Sequence, residues 1–191
     1  FRHFLSRGLG LHAVDDGQRE MDVWLAPMLR GSLLHDLYAQ LMRRGRDAKR
    51  RVSKKADLQW FLERGRLALE GLRVEMPPPS DEVFEREQQE LLGDLELFIG
   101  GEEDGEASRT PLGFEVSFGR PDDGVEPLAT AAPIEISLGK GLTFRLAGRI
   151  DRIDQIGPDS FEIVKYKTRD YFEKDYEGVF GGGTKLQHAL Y

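Results

Sequence analysis

The chain has 191 residues with 27 Lys and Arg against 34 Asp and Glu, a formal net charge of −7, and no cysteine. That length suits one domain with a real core, while the missing cysteine excludes disulfides, a thiolate nucleophile, Cys-held zinc and an iron–sulfur cluster carried by these residues alone. A metal here has to rest on Asp, Glu, His or carbonyl oxygen, which favours a hard ion such as magnesium or manganese.

No apolar run reaches the roughly 18 residues of a membrane span, and no secretory pattern opens the chain, so the expectation is a soluble, cytoplasmic protein. The chain starts at Phe1 and ends at Tyr191 inside a predicted helix, so it is expected to be a piece of something larger.

Residues 1–109 read as helical. Leu33, Leu34, Leu37 and Leu41 recur at helical spacing after the N-cap region Gly31-Ser32, and Leu58, Phe61, Leu62 and Leu69 repeat the pattern. Between them lies a basic run, Arg43, Arg44, Arg46, Lys49, Arg50, Arg51, Lys54 and Lys55, interrupted by one acid, Asp47. Pro77-Pro78-Pro79 breaks the chain, and Ser80 then caps a third helix with the stripe Phe84, Leu91, Leu95 and Phe98, which Gly100-Gly101 should end. The stretch Asp81–Glu106 holds eleven acids and one base. Both charge runs read as solvated helix faces, and the basic one equally as a surface for phosphates.

After Thr110 the period changes from 3.6 to 2. Leu112, Phe114, Val116 and Phe118 alternate with small or polar residues. A second strand spans Ile134 to Leu138, a third runs from Leu142 through Asp151, and Gly157-Pro158-Asp159-Ser160 turns the chain into a fourth, Phe161 to Lys167. Gly181 to Gly183 releases a last helix bearing Leu186, Gln187, Leu190 and Tyr191. The fold class is α/β of mixed α+β character: a single domain over 1–191, mostly helical in 1–109, with a small mixed sheet and a final helix in 110–191.

Residues of one parity on a strand share a face, so Lys165 and Lys167 project together and Asp151 can lie across from them. Alone, this is also the pattern of an ordinary charged hairpin face. The motifs add to it. GRIDRID (Gly148 to Asp154), IVKYKT (Ile163 to Thr168) and QHALY (Gln187 to Tyr191), with GSLLHDLY (Gly31 to Tyr38) upstream, resemble the RecB-type branch of the PD-(D/E)XK nuclease superfamily, whose pattern is G-x-x-D-R-x-D, D-Y-K-T and Q-x-x-x-Y. The opening FRHFLSRGLGL is similar to the entry of AddB-like nuclease domains.

The resemblance implies a restriction-endonuclease-like core and magnesium- or manganese-dependent hydrolysis of DNA, exonucleolytic and linked to a helicase domain or partner subunit. It implies Asp151 as the first metal-binding acid, Lys167 as the lysine orienting the attacking water, His35 as an auxiliary metal ligand and Glu115 as a further acid. Gln187 and Tyr191 would place the DNA, and Arg50, Arg51, Lys54 and Lys55 would contact its phosphates. In AddB-like proteins an iron–sulfur cluster is held by cysteines flanking this region, so such a cluster in a full-length protein would draw on residues outside the chain.

One position departs from the pattern. The second acid of the family, two residues before the lysine, is Lys165 here. Replacing a carboxylate by an ammonium changes the local charge by two units, and each unit pair is worth at most about 4 kcal/mol at about 4 Å and an effective dielectric near 20. The expectation is a nuclease that is inactive as given, through natural loss or a deliberate substitution, or a catalytically dead fold kept as a DNA-binding or scaffolding module.

Overall fold

A computed structural model of the chain describes residues 22–105, 109–120, 126–139 and 141–167. The opening segment, the predicted last helix, Gln187 and Tyr191 lie outside these residues.

Helix α1 (Pro27–Asp47) begins earlier than Gly31-Ser32 because Pro27 occupies its first turn, where the missing N–H is no loss and φ is already helical. It buries Leu34, Leu37, Tyr38, Leu41 and Met42. Its end is a Schellman turn in which Lys49 N–H donates to Arg46 O at 2.9 Å and Arg50 N–H donates to Gly45 O at 3.1 Å. Lys49 takes the left-handed conformation this turn requires, with φ 52°. A side chain there costs about 1 kcal/mol relative to glycine.

Ser53 caps helix α2 (Lys54–Glu75) by accepting from Ala56 N–H at 3.3 Å, so the basic run is divided between two helices and the turn joining them. Ser80 caps α3 (Asp81–Asp104) in the same way through Val83 N–H. Contrary to expectation, α3 continues through Gly100-Gly101 to Asp104. Each helical glycine costs only about 1 kcal/mol, and fully buried Ile99 holds the last turns against the core. Phe61, Leu69, Leu91, Leu95 and Phe114 are fully buried in that core, between helices and sheet.

The described strands form two antiparallel sheets, with order β1 (Thr110–Phe118), β4 (Gly148–Gly157), β5 (Ser160–Val164) in one and a β2 (Ile134–Gly139), β3 (Leu142–Leu146) ribbon in the other. The class is mixed α/β as expected. The only parallel pairing among the described residues is the isolated bridge between Phe118 and Thr130. The single strand expected from Leu142 through Asp151 is two strands in different sheets, parted at Ala147. Gly119 sits against that break with φ 69°, and a Cβ on it would lie 2.6 Å from the Ala147 Cβ. No larger residue fits there.

Two registers set up the site. In β1–β4, Phe114 pairs with Arg152 and Val116 with Ile150, which leaves Glu115 opposite Asp151. In β4–β5, Arg152 pairs with Val164, and continuing that register puts Lys165 beside Asp151. β5 itself ends at Val164, short of the expected Lys167.

Candidate metal centre

Asp151 is at the middle of the site because β4 is the central strand of its sheet, with β1 on one edge and β5 on the other. Its carboxylate is buried, 7% exposed. Tyr166 N–H donates to Oδ2 at 3.0 Å, and His35 Nδ1, from α1, lies 3.6 Å from the same oxygen. His35 Nδ1 is also 3.6 Å from Glu115 Oε1. One ligand atom from each of His35, Glu115 and Asp151 falls within a 4.8 Å cluster.

Glu115 adopts this position with φ 53°, a left-handed conformation that is a genuine outlier for a long side chain inside a strand. Its Oε1 is buried and has no hydrogen-bond partner within reach among the described residues, which leaves an acceptor facing the cluster. Oε2 lies 3.5 Å from Arg149 Nη1. The Glu115 carboxylate raises the His35 pKa against the lowering effect of burial; Asp151 adds to the rise, and Lys165 opposes it.

Lys165 reaches into this cluster. Its Nζ lies 3.3 Å from Asp151 Oδ1 and 3.5 Å from Oδ2, with the side chain 30% exposed. The ammonium is therefore a fixed positive charge at the carboxylate that the family pattern assigns to a metal. Lys167 is exposed and has no ion-pair partner among the described residues, whereas Lys165 pairs with Asp151.

The donor set suits a divalent ion in part. Two carboxylates and an imidazole are ligands that manganese or magnesium accepts, and the unpartnered Glu115 oxygen is an available donor; the ammonium of Lys165 opposes a cation at the same place.

Sequence reasoning passed over two participants. Tyr166 fixes Asp151 through its backbone and packs its ring edge-on against His35, Tyr38 and Phe98. The signal was an aromatic residue flanked by two lysines, whose opposite parity points it at the core. Arg149, which faces Glu115 from the neighbouring strand, carried no such signal beyond its charge.

The four basic residues expected at phosphates are in unequal situations. Arg50 donates to both oxygens of Asp57, each at 2.7 Å, and Asp57 is fully buried. Arg51 donates to the carbonyls of Glu102 and Gly105 at the end of α3. Lys54 and Lys55 are exposed in the first turn of α2.

The sequence model of the PD-(D/E)XK nuclease superfamily matches residues 1–191. A comparison with curated proteins finds no match. No helix among the described residues is long and apolar enough to cross a membrane.

Proposed function

The chain belongs to the PD-(D/E)XK nuclease superfamily, and from that premise we propose that it is the DNA-processing domain of a RecB/AddB-like recombination-repair protein in which Lys165 blocks the divalent-ion position. In this reading the unmodified domain binds DNA and does not cleave it. The observation that carries it is the Lys165 ammonium, 3.3 Å from the Asp151 carboxylate.

His35, Glu115 and Asp151 are the residues that would hold the ion. A bound magnesium or manganese ion supplies activation of water and neutralisation of charge on the phosphate. Tyr166 N–H keeps Asp151 turned toward the cluster. Lys167, carried over from the family pattern, would orient the attacking water and offset charge developing on the phosphate. Gln187 and Tyr191, carried over from the family pattern, would place the nucleic acid. Exposed Lys54 and Lys55 would contact phosphates directly, and Arg50 and Arg51 would do so only while keeping their internal partners. A helicase domain or partner subunit and a cytoplasmic setting follow from the RecB/AddB likeness.

A second reading has its own observation. Glu115 brings a carboxylate to the cluster through a backbone conformation that a glutamate adopts at a cost. If that acid takes over the role of the missing one, the chain is an active metal-dependent exonuclease and Lys165 swings aside when the ion arrives.

Cleavage of linear DNA by the Lys165→Asp variant tests the choice. The first reading predicts activity that appears only in this variant, is abolished by EDTA and is lost again on adding Asp151→Ala. Asp151-dependent cleavage by the unmodified chain establishes the second.

A further inference from the structure

Successive strand residues face opposite ways, so Arg152 leaves β4 on the side away from Asp151, into the wall of a cavity of about 510 Å³. We propose that this cavity binds the phosphates of a single nucleotide, free or at the end of a nucleic-acid strand.

Six cationic side chains line it, Arg46, Lys49, Arg50, Arg51, Arg109 and Arg152, against one acid, Glu102. Glu102 itself pairs with Arg152, and four of the cations are also held by carboxylates outside the lining. Asp57 holds Arg50, Asp154 holds Arg152, Glu126 holds Arg46 and Glu162 holds Arg109; Asp57 and Asp154 are fully buried and Glu126 is 4% exposed. Guanidinium groups thus face the cavity while acids behind the wall fix their positions. A preorganised set of planar donors of this kind suits phosphate oxygens.

Two of the cations are not matched by an acid among the described residues. Arg51 donates only to main-chain carbonyls, and Lys49 has no ion pair. Lys49 occupies the left-handed position of the α1 Schellman turn, with φ 52°, where glycine is the unstrained choice. The turn needs no lysine; the cavity gains a positive charge from it. Met42, Pro111, Val52 and Val164 supply an apolar wall, and the volume lies within the range of about 300–1,000 Å³ typical of small-ligand sites. That is more room than a bare phosphate needs and is suited to one nucleotide. The anion chemistry stands on the cavity alone, whereas the choice of nucleotide over other phosphate esters rests on the superfamily.

Calorimetry with tripolyphosphate in EDTA, where the metal cluster cannot contribute, tests the anion chemistry. Binding is expected, weakened about fivefold by either Lys49→Gly or Lys49→Gln, as for loss of one nearby charge in a solvated setting. Only Lys49→Gly should also raise the melting temperature, by a few degrees, so a purely structural lysine would change melting and leave affinity alone. No binding at millimolar tripolyphosphate, or equal affinity in both variants and the unmodified chain, overturns the proposal. Competition then identifies the source. Displacement of tripolyphosphate by a nucleoside triphosphate assigns a free nucleotide, and displacement by a 5′-phosphorylated oligonucleotide but not its 5′-hydroxyl counterpart assigns a strand end; failure of all three to compete overturns the nucleotide assignment.

Discussion

Lys165 Nζ and Asp151 Oδ1 are 3.3 Å apart, a salt bridge between the residue that follows β5 and the central strand of the sheet, in the cluster that also holds His35 and Glu115. The pair gives Asp151 a counter-charge, while Glu115 Oε1 is left without a hydrogen-bond partner among the described residues. In the proposed reading it makes the ion's affinity a direct function of one side chain.

If Lys165→Asp opens the site, the remaining ligands become separable. In that background His35→Ala should weaken manganese affinity about tenfold, and Glu115→Gln should weaken it by at least as much, because a charged ligand is lost rather than a neutral one. Calorimetric titration with manganese checks both. An unchanged affinity in Glu115→Gln would remove Glu115 from the metal shell.

In the proposed reading Gln187 places the DNA, so its loss should separate chemistry from metal binding. In the Lys165→Asp background, Gln187→Ala should reduce cleavage while leaving manganese affinity unaltered. A parallel loss of both would move the residue to the metal site.

The basic run should split by experiment as it does in space. Neutralising Lys54 and Lys55 together should weaken DNA binding for all sequences and lower the slope of log K against log salt by about 2, with an unchanged melting temperature. Arg50→Gln should instead lower the melting temperature, because it strands part of the charge of buried Asp57. An unaltered salt slope in the double-lysine variant would return that turn to a plain solvated surface.

Hydrogen bonds from Arg50 hold Asp57 at a pKa of about 2, against burial that pushes it up. A carboxylate depressed in the folded state binds fewer protons there than in the unfolded chain, so its stabilisation is complete above the unfolded value near 3.9 and is lost as pH falls toward about 2. The loss amounts to about 2 kcal/mol. Chemical denaturation between pH 5 and about 2 should show this decline, and Asp57→Asn, already destabilised at neutral pH, should show less of it.

Helix caps at Ser53 and Ser80 are local chemistry, and Ser80 was readable directly. So was the turn at 157–160, whose residues allow little else. The early start of α1 is marked locally by Pro27 at its first position, whereas the continuation of α3 past Gly100-Gly101 was hidden because it depends on packing: Ile99 is buried by residues far away in sequence. The strand break at Ala147 was hidden for a related reason, since alternation continues smoothly from Leu142 to Asp151 and only sheet membership separates the two halves. At the site, parity put Lys165 opposite Asp151 one residue past the end of β5, and the same argument applied to Lys167 runs further past it. Charge counting could not foresee that Arg50 faces Asp57, because a run of cations carries no mark of the acid a folded chain will bring to it.

Manganese titration of the unmodified chain and of Lys165→Ala bears most directly on the blocking role of Lys165. Alanine removes the ammonium without adding an acid, so it isolates the effect of the charge from that of a missing ligand. With the ammonium in the cation's place, the unmodified chain should bind no manganese below millimolar concentrations, and Lys165→Ala should bind it at least tenfold more tightly, through Asp151. Micromolar, Asp151-dependent binding by the unmodified chain, with no gain in Lys165→Ala, would contradict the account.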